Sequence, residues 1–500
     1  MRALLVHPRY PDTFWSFRHA LKFISRKASF PPLGLLTVAA MLPQNWEKQL
    51  IDLNVQALTD DDIRGADLVF LGAMGVQRAS AEKIIARCKE LNTRVVAGGP
   101  HFTSSPEQYP HVDFLVLNEA ELTLPDFLRD LRAGHPRHMY QSDRWADIST
   151  TPLPLWELVE MKQYSSMNIQ YSRGCPFDCD FCDITVLYGR KPRTKSCTQL
   201  VAELDSLYQT GWRGPLFFVD DNFIGNKAAL KRDILPGLTA WMDQHDHPFY
   251  LNTEASINLA DDEDLMRAMV AAGFESVFIG IETTDDDSLQ ACAKQQNRNR
   301  DMLASVKRIQ SFGLEVMGGF IVGFDQDSPS SFGRMVDFIQ ESGIVTAMVG
   351  LLNAPRGTRL HARMKDEGRL VTDFNGDNTD MSTNIVPVMD LQLLLAGYKD
   401  LLHSIYSPRA YYARVRSFLK DFNPPKKVFH FNGGYLRALF LSMLRLGVIG
   451  RERLYYWQLF FWSLFRHPRL FSLAILFSIY GFHFRKIAAA TVIPVQDTMP

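Results

Sequence analysis

Three cysteines fall within eight residues, as Cys175-Pro176-Phe177-Asp178-Cys179-Asp180-Phe181-Cys182, a C-x3-C-x2-C loop. The other three, Cys88, Cys197 and Cys292, are scattered and are read as plain thiols. This is not a disulfide framework; one tight cysteine group marks a metal or cluster site in a reducing compartment. Three thiolates on a short loop can hold three irons of a [4Fe–4S] cluster and leave the fourth iron open for a ligand. The alternatives are a zinc knuckle, which needs four ligands, and three structural thiols. No further Cys or His lies within ten residues of the loop, which weighs against zinc. The spacing favours the cluster.

A cluster loop must be carried by a fold. The chain ahead of it alternates apolar runs with helical patterns. Residues 3–8, 50–54, 67–74, 94–100 and 114–119 read as five short buried strands, with helix-like stretches at Leu33–Leu42 and Ala79–Leu91 between them. This β-α alternation predicts a doubly wound, Rossmann-like parallel sheet over residues 1–140, with its ligand site off the carboxyl ends of the strands. Gly72, Gly75, Gly98 and Gly99 follow predicted strand ends, where backbone can approach a ligand. Residues 141–165 are polar, punctuated by Pro152 and Pro154, and read as a linker. Six further strands, at 168–172, 216–222, 250–256, 276–282, 315–324 and 346–354, recur roughly every 30 residues after the first, as βα units do. They predict a partial (β/α)6 barrel over 166–370 rather than the full eight units. Residues 371–500 turn helical, then basic and aromatic.

With a barrel expected behind it, the cysteine loop resembles that of the radical S-adenosylmethionine (radical SAM) enzymes, over roughly residues 165–360. The resemblance implies that SAM chelates the open iron and is cleaved to a 5′-deoxyadenosyl radical, the protein supplying orientation. It further implies a set of cofactor-binding positions. Phe181 would pack near the adenine. Asp220-Asp221-Asn222 stands where the family usually has Gly-Gly-Glu for the SAM amino group. Glu282 would take the ribose hydroxyls, Gly319 and Gly323 would flank the adenine, and Glu254 is a further candidate at the barrel mouth. Each of these acids can equally be an ordinary strand-end carboxylate, and no catalytic residue is singled out.

Taken with the N-terminal sheet, the chain resembles the cobalamin-binding radical SAM enzymes. The stretches FPPLGLLTVAA, VAGGPH, FIGNK and YGRKPRTK are similar to the branch containing the hopanoid C-2 methylases. Gly98-Gly99 would then border the corrin. The Asp-x-His-x-x-Gly motif that supplies a lower axial histidine is absent, since the first strand ends in His7-Pro8-Arg9. His7 and His101 are therefore expected to be strand-end histidines. Arg190, Lys191, Arg193 and Lys195 crowd four charges into six residues, suited either to an anion or to a solvated face.

The chain has 500 residues and a net charge of −1, but 14 of its 54 Lys/Arg and only three of its 55 Asp/Glu lie after residue 400. The same hundred residues hold 21 of the 58 aromatics. A basic, aromatic tail on an acidic body excludes nucleic acid as a partner of the whole chain and suits a lipid headgroup layer; packing of the tail on the barrel is the alternative. No secretory signal opens the sequence and no run of about 20 apolar residues is present. These features predict a cytoplasmic protein, peripheral on the inner face of the membrane. The resemblance implies a cobalamin-dependent radical SAM C-methyltransferase acting on an unactivated carbon of an isoprenoid or hopanoid lipid. Its cofactors would be a [4Fe–4S] cluster, SAM and cobalamin, with an electron donor such as flavodoxin or ferredoxin. The rival readings are a radical SAM enzyme that couples carbons or closes a ring in a lipid without methyl transfer, and a non-catalytic iron–sulfur electron carrier.

Overall fold

The structure, a computed structural model, describes residues 1–424 and 433–490. Its first sheet has six strands: β1 (Arg2–His7), β2 (Glu47–Asp52), β3 (Leu68–Gly72), β4 (Val95–Gly98), β5 (Phe114–Val116) and the short β6 (Met139–Tyr140). All pair in parallel, in the order β2-β1-β3-β4-β5-β6. The order reverses at β1, so a crevice opens off the carboxyl ends of β1 and β3. β1 reads ALLV because both faces are covered: Ala3, Leu4, Leu5 and Val6 are all buried. The two expected helices form as Leu33–Met41 and Arg78–Glu90.

Residues 141–165 are largely exposed or half-buried but anchored at a few buried side chains. Trp156 is buried, and the buried Tyr164 hydroxyl donates to Asp52 Oδ2 at 3.0 Å, tying this segment to the end of β2. The second sheet follows as β7 (Met167–Ile169), a two-residue hairpin of β8 (Ser172–Arg173) and β9 (Arg193–Thr194), then β10 (Gly214–Phe218), β11 (Phe249–Ala255), β12 (Phe274–Glu282), β13 (Glu315–Val322) and β14 (Ala347–Leu351). The order β14-β13-β12-β11-β10-β7 is parallel throughout, an open barrel of six units.

The C-terminal region is helical over Leu391–Tyr406, Pro408–Asp421, Gly433–Ser442, Arg453–Arg466 and Phe471–Ala490, with a π-helical segment Met443–Ile449. Residues 425–432 and 491–500 of the expected helical region lie outside the described residues. Pro468–Ala490 is long and apolar enough to cross a bilayer by length and composition, with mean hydropathy 1.3. Half of it is nonetheless buried against the protein. The Tyr411 hydroxyl donates to the Phe477 carbonyl at 2.7 Å, and the buried His483 ring bonds the Phe14 carbonyl at 2.9 Å. These contacts make it a core helix of the C-terminal region.

Candidate active site between the two sheets

The cluster loop leaves β8 through Gly174, at φ +93°. A Cβ there would sit 2.8–3.1 Å from the carbonyl oxygens of Gly189, Tyr188 and Lys191, so only glycine lets the chain turn into the cysteines. Gly174→Ala is expected to cost about 1–3 kcal/mol and to lower the iron content after reconstitution; denaturant midpoint and iron analysis would check both. The far side of the loop is braced by the C-terminal half. The Leu360 amide donates to the Asp180 carbonyl at 2.9 Å, and Arg359 pairs with Asp178 at 3.0 Å.

All six cysteines are free thiols. Asn222 Nδ2 lies 3.8 Å from Cys175 Sγ, and Gln296 Nε2 lies 3.8 Å from Cys179 Sγ. The Lys294 ammonium exerts its field on all three cysteines of the loop. N–H donors and a cation aimed at thiols are what a cluster-ligating set needs, because they stabilise sulfur-borne negative charge. Among the described residues no three His, Cys, Asp or Glu side chains close around one metal ion. A zinc knuckle would need that convergence, whereas a cluster gives each thiolate its own iron. The donor set therefore fits the cluster.

Asn222 belongs to the Asp220-Asp221-Asn222 stretch but faces a cysteine; Lys294 and Gln296 carry no motif, and only the fold brings them to the loop. Lys294 Nζ is 2.6 Å from Glu282 Oε1 and 5.8 Å from the Phe181 ring centre. Glu282 is held there by a register shift in β12 after Gly280 and by a left-handed φ of 65°. Such strain in a non-glycine residue points to a role beyond packing. Phe181 also meets Phe324 edge-on at 6.4 Å, next to Gly323. Gly323 has φ +102° and its amide donates to Asp327 at 2.8 Å. Gly319 faces Phe278, whose ring a Cβ would meet at 2.7 Å, so its small size serves packing.

Two sequence expectations change. Asp220 is fully buried; its carboxylate accepts from the Tyr171 and Ser172 amides and the Ser172 hydroxyl. It fastens the start of the cluster loop and is not presented to a ligand. The basic run divides. Arg193 pairs with Glu119 and Lys195 with buried Glu203, whereas Arg190 and Lys191 are exposed, as on a solvated face.

Beside the cluster loop lies a cavity of about 2470 Å³ that runs from the first sheet into the barrel. Small-molecule sites usually occupy ~300–1,000 Å³, so this chamber has room for more than one ligand. Its wall includes Tyr10, Met74, Gly98 and Gly99 off the first sheet, and Asp221 and Glu254 off the barrel strands. Gly99 takes φ +91°, and a Cβ there would meet the Ala73 backbone at 3.1 Å, so glycine is required for the turn and for this close approach. His7 lines the chamber but is bonded to Gln77 at 3.2 Å, and His101 is bonded to Tyr109 at 2.5 Å. Burial holds both rings below the usual histidine range, His101 at about 4. Both behave as strand-end histidines.

Burial, together with Asp221 and Asp220, pushes Glu254 up to about 8; burial and Asp220 push Asp221 up to about 7. A carboxyl whose folded pKa is raised stabilises the fold fully below the unfolded value, and that stability is lost as pH rises through the folded value. Cofactor-free protein should thus lose stability between about pH 4.5 and 8, and Glu254→Gln should flatten that loss. Urea midpoints across this range would check it; an unchanged slope would contradict the assignment.

Three comparisons place the chain. Family models match as a B12 binding domain over 23–128, the radical SAM superfamily over 169–339 and a domain of unknown function, DUF4070, over 358–494. An uncharacterized methyltransferase of Synechocystis is 41% identical over 97% of this chain and 91% of its own. The hopanoid C-2 methylase of Rhodopseudomonas palustris is 37% identical over 82% of this chain and 77% of its own. The chain belongs to the cobalamin-binding radical SAM enzymes. It is a radical SAM methyltransferase using a [4Fe–4S] cluster, SAM and cobalamin, which sets aside the electron-carrier reading. Among solved structures, the cobalamin-dependent SAM radical enzyme OxsB with aqua-cobalamin and SAM bound superposes with TM-score 0.61, at 16% identity over 97% of this chain and 84% of that one. The methyltransferase TsrM from Kitasatospora setae, with cobalamin and [4Fe–4S] cluster bound, superposes with TM-score 0.58, at 15% identity over 98% and 99%. At these identities the likeness shows the shared fold.

Proposed function

We propose that this enzyme methylates an unactivated carbon of a polycyclic isoprenoid lipid of the hopanoid type. The observation that carries the reading is the chamber: one continuous cavity joins the carboxyl ends of the first sheet to the barrel interior, with a wall that is mostly apolar. A largely apolar chamber of this size suits a rigid hydrocarbon held between two cofactors. The 37% identity to a hopanoid C-2 methylase supports the lipid class.

When bound, the cluster with SAM supplies radical hydrogen abstraction and cobalamin supplies the methyl group. The chain's residues do the rest. Cys175, Cys179 and Cys182 would ligate the cluster, with Asn222 and Gln296 donating to the sulfurs. Glu282, Phe181 and Gly323 would hold SAM beside it. Asp221 and Glu254 face the chamber, where their largely neutral carboxyls can donate as well as accept hydrogen bonds. Gly98 and Gly99 would border the corrin, with no histidine of this chain free to ligate cobalt from His7 or His101. The apolar wall excludes water from the reacting carbon. An electron donor such as a flavodoxin or ferredoxin would reduce the cluster, and the enzyme would work at the cytoplasmic face of the membrane.

The test is anaerobic incubation of reconstituted enzyme with cobalamin, reductant, a bacterial lipid extract and SAM carrying a deuterated methyl group. Label in a polycyclic lipid is the expected result. A lipid that loses hydrogen without gaining label would favour ring formation or coupling instead.

A further inference from the structure

The C-terminal helices form part of the chamber wall, and two of the residues they give it also lie on an apolar surface. Leu436 and Leu476 both line the cavity and are 56% and 39% exposed. From Leu436 an exposed stripe continues along one face at Phe440, Leu444 and Val448, each four residues on. Trp457 donates to the Gly447 carbonyl at 2.9 Å, which brings the helix Arg453–Arg466 alongside; Phe461 stacks on Trp457 at 5.5 Å and Phe465 extends the surface, 75% exposed. Contiguous exposed apolar surface on this scale marks an interaction site.

The charges name the partner. Arg437, Arg451, Arg453, Arg466 and Arg469 are exposed among these side chains. The one acid between residues 422 and 490, Glu452, is buried and paired with Arg485 at 2.6 Å, so it does not offset them. Exposed phenylalanines and leucines interleaved with uncompensated arginines match a bilayer bearing anionic headgroups. Tyr250 and Met317, near the amino ends of β11 and β13, line the same cavity.

We infer that the DUF4070 segment is a membrane-docking portal: it seats the apolar stripe in an anionic bilayer surface so that the substrate passes from the lipid leaflet into the chamber without crossing water. The portal's second role rests on the lipid-substrate reading; its docking does not.

Flotation of the reconstituted enzyme with vesicles of phosphatidylcholine, with and without one-third phosphatidylglycerol, reads docking directly. The full-length enzyme should float with the anionic vesicles and be released by salt. Phe440→Asp with Phe465→Asp should abolish flotation, and each of Arg451→Gln and Arg453→Gln should weaken it about fivefold. These side chains are exposed, so iron content and circular dichroism should be unchanged. Failure to float, or flotation unaffected by the substitutions, would overturn the docking surface. So would a self-association of the parent enzyme, seen by light scattering, that the Asp pair abolishes in place of vesicle binding. For the portal, the Asp pair should lose turnover on vesicle-held lipid extract and keep it on detergent-dispersed extract. Equal loss on both would overturn the portal. If no lipid is methylated in either form while flotation behaves as expected, the substrate reading fails and the docking surface stands.

Discussion

Replacing Cys175, Cys179 or Cys182 with Ala, one at a time, is expected to reduce iron and sulfide content sharply and to bring turnover to background. The three thiols sit on one short loop under donors from Asn222 and Gln296 and the field of Lys294, with no spare cysteine in the loop to replace a lost ligand. The reaction's radical chemistry belongs to the cofactor, so a protein that cannot hold the cluster retains no partial route. The fold should survive, because the loop is tied at Gly174, Asp180 and Asp178 by contacts that do not involve sulfur. Cys197→Ala serves as the control and should keep both cluster and activity. Absorbance of the reconstituted proteins, iron analysis and 5′-deoxyadenosine formation measure all three statements. A loop-cysteine variant with full activity would contradict the assignment.

The second large effect is expected at Arg173, which couples the two sheets. Its guanidinium donates to Glu119 at 2.9 Å and to Glu121 at 2.8 Å, from the residue immediately before the cluster loop to the segment just past β5. The side chains of Arg173, Glu119 and Glu121 are only 13%, 2% and 7% exposed. Arg193 makes a second bridge to Glu119 at 2.8 Å. Removing one member of a buried ion group strands the others, at a cost of about 3–5 kcal/mol. Arg173→Met should therefore lower stability by that order. It should also let the cobalamin-bearing sheet shift against the cluster loop. Misplacement by about 1 Å can cost ~100-fold in rate, so methyl transfer should fall by at least that order while 5′-deoxyadenosine formation persists. The conservative Arg173→Lys should recover stability in part and geometry poorly, because an ammonium cannot fork to two carboxylates. Equal loss of both products would mean that Arg173 supports the cluster alone.

The strand positions were legible in the sequence as apolar runs: ALLV in β1 is buried on both faces, and FIGI in β12 alternates between buried and half-buried positions. The cysteine loop was legible because its chemistry fixes its spacing. What surrounds it was not. Lys294 and Gln296 follow an ordinary short helix, and nothing in their local pattern distinguishes them from surface residues; the bulge at Glu282 and the fold of the barrel carry them to the cysteines. Asp220 and Asp221 are adjacent in sequence, yet the chain turns between them just past β10. One is spent on the Ser172 backbone and the other faces the chamber. In the basic run at 190–195, the partner of Arg193, Glu119, is distant in the chain, while that of Lys195, Glu203, lies two turns into the next helix. Proline and polar residues at 141–165 suggest a free linker, but the buried Trp156 and Tyr164 pin that segment across both sheets.

The central claim is that the enzyme uses both cofactors on one substrate, so that each methylation consumes SAM in two ways. The most direct measurement is the yield of 5′-deoxyadenosine, S-adenosylhomocysteine and methylated lipid in the same anaerobic reaction, with and without cobalamin. The account predicts the three in equal amounts, with S-adenosylhomocysteine and methylated lipid both disappearing when cobalamin is withheld. Methylated lipid formed at full yield without cobalamin, or 5′-deoxyadenosine accompanied by an altered but unmethylated lipid, would contradict it.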